Sequence, residues 1–91
     1  MTLDQRQALT NLFKQVGDAH HHAFADVNGD DPDWPEWYAT YLIEKIPAVI
    51  GRDLPKADLE DLLRQAHQSY ERITPNIPWQ EFYAEFFIET T

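Results

Sequence analysis

The sequence predicts an all-α protein, a compact four-helix domain built from two repeated αα-hairpins about a pseudo-two-fold axis. Three observations predict it. Apolar residues recur at the helical advance of about 100° per residue along four separate stretches. No stretch alternates with period two for long enough to argue a strand. Two of the four stretches match each other at a constant offset of 45 residues.

The first stretch, "LDQRQALTNLFKQVGDAHHHAFADV", places Leu9, Leu12, Phe13, Val16, Ala23 and Phe24 on one face. Gly17 weakens this pattern without breaking it, so a helix is expected from Leu3 or Asp4 to Ala25. The second, "WPEWYATYLIEKIPAVI", carries Trp34, Trp37, Tyr38, Tyr41 and Leu42 on one stripe. Its start is marked by Asp33 as N-cap, Pro35 in the first turn and Glu36 in capping-box position. Pro47 lacks an N–H and disfavours helix at Ile46, so an end or kink is expected near Lys45, then a short turn to Gly51.

The third stretch repeats Leu59, Leu62, Leu63, Ala66, Tyr70 and Ile73, and "TPNIP" stops it. The fourth, "WQEFYAEFFIET", sets Trp79, Phe82, Tyr83 and Phe86 on one face. Laid on "WPEWYATYLIEK", it agrees at Trp, Glu, Tyr, Ala, Ile and Glu. A shift of 46 also aligns Phe13 with Leu59, Val16 with Leu62, His21 with His67 and Phe24 with Tyr70. One domain over 1–91 is expected, with hairpins at about 3–50 and about 54–90.

Composition narrows the functional classes. Sixteen acidic and seven basic residues give a net charge of −9, a field that repels nucleic-acid phosphates and anionic lipid. The chain has no cysteine, which excludes disulfides, thiolate zinc sites and cysteine nucleophiles. No basic-then-apolar leader opens the sequence and no apolar run reaches the ~20 residues of a membrane span. A soluble, cytoplasmic protein is expected.

"DPDWPEWYATYL" followed by "PWQEFYAEFF" resembles a group of short bacterial helical proteins with a D-W-P-x-W-Y-A signature and no assigned chemistry. The likeness covers about a third of the chain. It implies a helical fold and a bacterial origin, and it carries no catalytic residue across.

The loop "DVNGDDPDWPE" invites a calcium reading. Counted from Asp26 as an EF-hand, Asn28 and Asp30 occupy positions 3 and 5. Position 6, which requires glycine, is Asp31, and position 12, which requires a bidentate glutamate, is Trp37. The EF-hand is excluded. A looser calcium site from Asp26, Asn28, Asp30 and Asp33 is the alternative to a plain turn plus an N-cap.

The run His20-His21-His22 cannot converge on one ion, because consecutive helical side chains diverge by about 100°. His20 lies within the apolar stripe, so a half-buried histidine bonded to a tyrosine or carboxylate is expected. A metal set of His20 or His21 with His67 and Glu36 or Glu81 is the rival. No serine or threonine sits in a nucleophile elbow, and a bundle this small is not expected to enclose a cavity of ~300 Å³.

Ile43 and Ile88 match in the repeat, beside Ala39 and Ala84 and away from the aromatic stripes. This second apolar face is expected to be buried between neighbouring helices, or to join Trp34, Trp37 and Trp79 in an interaction surface. The functional expectation is a non-catalytic protein-interaction module that binds a basic partner or self-associates, for instance as a homodimer. The alternative is a divalent-cation-binding or sensing domain using the 26–33 loop.

Overall fold

Leu9, Phe13 and Val16 are spaced to share one face, and Leu3–Ala23 forms a helix, α1, that buries all three completely. The computed structural model describes residues 3–27, 31–51 and 53–90. After α1 comes a single 3-10 turn, Ala25–Val27, then α2 (Trp34–Leu42), α3 (Ile46–Ile50), α4 (Lys56–Ile73) and α5 (Trp79–Thr90). All regular structure among the described residues is helical.

Two boundaries differ from expectation. Helix α1 stops at Ala23 rather than Ala25, and the chain tightens into the 3-10 turn through the Val27 N–H to Phe24 carbonyl bond at 3.1 Å. The second helix stops at Leu42, and 46–50 is helix rather than turn, which makes five α-helices among the described residues instead of four. Pro47 explains the division. It cannot sit inside a helix, but it fits the first turn, where its missing N–H would have no partner anyway. Gly51, at φ +80°, then closes α3 with its N–H on the Pro47 carbonyl.

Helix α1 packs chiefly on α5 and α2 chiefly on α4, while α1·α2 and α4·α5 form the two sequential pairs. The halves are unequal: α1 has 21 residues against 18 in α4, and α3 has no described counterpart in the second half. Leu9, Phe13, Ala39, Leu42, Ile46, Leu59, Leu63, Ala66, Ala84 and Phe87 are fully buried. Phe13 is central, edge-on to Tyr83 and Phe87 with ring centroids 5.7 and 5.2 Å away.

On α2 the deepest face is not the aromatic one, whereas α5 buries Tyr83 of its stripe together with Ala84 and Phe87. Ala39 and Leu42, and Ala84 and Phe87, point into the core, while Trp34, Trp37, Tyr38, Tyr41, Trp79 and Phe82 are half-buried around it. Small alanines let helix backbones approach closely, and large rings lie beside the contact rather than within it. Ile43 and Ile88 are half-buried and packed against the core. Most rings of the two stripes therefore lie at the margin of the core, where several wall a cleft.

Candidate functional site

The cleft opens where the end of α1 meets the start of α2, the C-terminal half of α4 and the start of α5. Its volume is about 560 Å³ and it is open on one side. Trp34 and Tyr38 come from α2, His67, Tyr70 and Glu71 from α4, and Trp79 and Tyr83 from α5. His20 and Asp31 complete the wall. The small bundle thus carries a sizeable recess, though an open one rather than the enclosed cavity judged improbable from chain length.

Gly17 explains how Trp79 reaches its place. A Cβ at this position would lie 2.9 Å from Trp79 Cζ2, a distance real side chains do not tolerate. The glycine that weakens the α1 pattern is the one that lets the indole lie against the helix.

Two histidine–carboxylate pairs organise the cleft. His20 Nε2 is 3.0 Å from Asp31 Oδ2, and both side chains are about nine-tenths buried. Asp31 Oδ1 accepts the Asp33 N–H at 3.1 Å, so this one carboxylate both holds His20 and shapes the turn into α2. The His20 ring stacks on Phe24 and meets Trp37 and Tyr38 edge-on. The sequence predicts a half-buried histidine bonded to a tyrosine or a carboxylate; His20 is buried more deeply than that, and its partner is the carboxylate of Asp31.

The second pair lies on α4. His67 Nε2 contacts Glu71 Oε1 one turn away, and His67 Nδ1 is 3.1 Å from the Tyr83 hydroxyl. A carboxylate only accepts, so with a neutral imidazole Nε2 carries the proton and Nδ1 accepts from Tyr83. Burial, reinforced by nearby Tyr38, Glu71 and Tyr70, pushes the Tyr83 phenol well above its ordinary pKa. Burial also raises Tyr38. Both phenols keep their protons at neutral pH, so neither serves as an oxyanion nucleophile, and Ser69 does not line the cleft. Chemically the recess offers aromatic faces and negative charge.

A second recess of about 450 Å³ adjoins it, with Asp31 common to both. Trp37 and Tyr41 wall it with rings stacked 6.0 Å apart, and Asp33 and Glu36 supply further carboxylates.

The residues singled out from sequence divide as follows. Trp34 and Trp79 face the first recess and Trp37 the second. Ile43 and Ile88 face neither. Of the four candidate calcium ligands, Asn28 and Asp30 lie outside the described residues, and Asp26 and Asp33 are exposed. Among the described residues no three His, Asp or Glu side chains group to hold a metal ion. Asp33 occupies the N-cap position, but its side chain makes no capping bond. Its backbone N–H is instead held by Asp31, and Glu36 does not complete a capping box among the described bonds.

His20 and His67, both proposed as ligands, do face one cleft, yet the acids beside them are Asp31 and Glu71 rather than Glu36 and Glu81. Sequence reasoning missed both acids. Glu71 was findable, because an acid four residues after a histidine shares its helix face. Asp31 had no such signal; it meets His20 only because the chain folds back after α1. No described helix is long and apolar enough to cross a membrane. No known family model matches the chain, and no curated protein or solved structure matches it.

Proposed function

We propose that the chain is a small non-catalytic interaction module that docks a basic segment of a partner protein in this aromatic cleft. The observation that carries the proposal is the meeting of half-buried Trp34, Tyr38 and Trp79 with the carboxylates of Asp31 and Glu71 in one open recess. Tryptophan and tyrosine are the residues that most often anchor interfaces, since they bury large area at little conformational cost. The net charge of −9 attracts a basic segment over distance and repels a second, equally acidic copy of the chain.

Tryptophan fluorescence with a synthetic Lys/Arg-rich peptide tests the proposal. Saturable binding at low salt is expected, weakened several-fold by Trp34→Leu and by Glu71→Gln. The Glu71 side chain is 69% exposed, so the second variant keeps the core intact. Absence of saturable binding, or binding indifferent to both substitutions, overturns the proposal. Self-association is the competing arrangement. A dimer in sedimentation that Ile43→Asp and Ile88→Asp dissolve would replace partner docking with self-docking.

A further inference from the structure

We infer that the cationic group selected by the cleft is a quaternary ammonium, carried on the partner segment as a trimethylated lysine. The inference rests on the docking of a basic segment described above and names what that segment must display.

The buried polar atoms of the cleft are committed to one another, and the Glu71 carboxylate is the exposed acceptor in its wall. Each oxygen of Asp31 already accepts a hydrogen bond, one from His20 and one from the Asp33 N–H. Both ring nitrogens of His67 are engaged, by Glu71 and by Tyr83. The Tyr70 hydroxyl donates to the Ile77 carbonyl at 2.9 Å. Among the described residues no buried side-chain nitrogen or oxygen lacks a partner.

An ordinary lysine ammonium carries three N–H donors that must exchange water for protein acceptors on entry, and unmet donors are penalised. A guanidinium brings five. A trimethylammonium keeps the positive charge and has no donor at all. What the cleft still offers is what that group uses: the rings of Trp34, Tyr38 and Trp79 in its wall, with the Asp31 and Glu71 carboxylates beside them. Attraction between a cation and an aromatic face is strongest at tryptophan, and such cages are suited to methylated ammonium. The Trp34 ring packs T-shaped with Tyr38 and with His67, centroids 5.2 and 5.3 Å away.

Cleft shape favours a polypeptide source over a free small molecule. At about 560 Å³ the recess far exceeds one ammonium head, it is open, and Asp31 joins it to a second recess with three carboxylates. A small molecule would be poorly enclosed there. A chain could set its methylated side chain among the tryptophans and lay its neighbours along the acidic groove.

The test compares one peptide in three forms, with lysine, trimethyl-lysine or glutamine at the central position, by calorimetry at fixed ionic strength. Tetramethylammonium chloride is the competitor and ammonium chloride its control. The trimethylated peptide is expected to bind roughly three- to thirty-fold tighter than the lysine form. Tetramethylammonium should displace it, ammonium should not, and Trp34→Leu should abolish the preference. Should Trp34→Leu not fold, Trp34→Phe is expected to narrow the preference on an intact aromatic wall.

Equal binding of the lysine and trimethyl-lysine peptides overturns the inference and leaves basic-segment docking standing. Tetramethylammonium binding without any peptide binding overturns the polypeptide source together with that docking. No binding of any probe overturns both.

Discussion

At the scale of single residues, Asp31 carries more of the site than any other described acid of its loop. It is the residue that the EF-hand register marks as misplaced, and it closes both the His20 contact and the turn into α2. Asp31→Ala removes both bonds and leaves a buried imidazole without its acceptor, so it should destabilise the chain by about 2 kcal/mol. Denaturant unfolding of the two proteins measures the difference, and an unchanged midpoint would contradict it.

Tyr83 makes a second prediction. The folded chain holds its phenolic proton more tightly than the unfolded chain, whose ordinary value is 10.0. Stability is therefore level below that pH and falls as pH rises above it, where only the unfolded chain releases the proton. Tyr83→Phe should lose about 1 kcal/mol at neutral pH, with its bond to His67. It should also show a shallower alkaline decline, read by thermal unfolding across that range.

At the scale of elements, two helix ends adopt the left-handed conformation with different residues. Gly51 ends α3 at φ +80°, where glycine is at ease and a side chain is strained. Thr74 ends α4 at φ 45°, a region β-branched residues seldom enter. Opposite outcomes are expected. Gly51→Ala should destabilise by about 1 kcal/mol even though a Cβ there meets nothing within 4 Å, because the strain lies in the backbone. Thr74→Gly should stabilise by about 0.5 kcal/mol, the relieved strain being partly offset by the entropy of a freer unfolded chain. Melting curves of the pair decide it, and equal signs would sink the backbone explanation.

Helix existence was legible for every long stretch, because the 3.6-residue recurrence of Leu59, Leu62, Leu63 and Ala66 has no strand counterpart. The division at 43–45 was half legible. Pro47 marks an interruption in any sequence, but whether helix resumes depends on Ile46 finding the core, which it does with full burial.

At the scale of the whole molecule, the Cα radius of gyration of 12.6 Å matches the roughly 12 Å expected of a folded domain this long. A domain of this kind with net charge −9 has a long-range field that salt screens within about 10 Å at 0.1 M. Binding of a basic peptide should accordingly weaken several-fold between about 0.02 and 0.2 M salt, mostly through slower association. Stopped-flow fluorescence separates the rates. A salt effect confined to dissociation would point to short-range pairing at Asp31 and Glu71 instead.

The sequence by itself determined that the chain is helical, that it is acidic, and where its aromatic residues recur. These are properties of composition and period, and they survive any arrangement of the helices. Only the tertiary structure decided which face of α2 and of α5 is deepest. Helices α2 and α5 are apolar on two sides, rings on one and Ala39 or Ala84 on the other, so periodicity could not rank the two; burial is complete at the alanines. Trp34, Tyr38 and Trp79 lie half-buried together at the margin of the core. The folding back of the chain after α1 then brought Asp31 to His20, and α4 brought His67 and Glu71 to the same recess. The loop that reads as a row of interchangeable acids contributes one residue to the site, because only one of its described carboxylates meets a buried histidine.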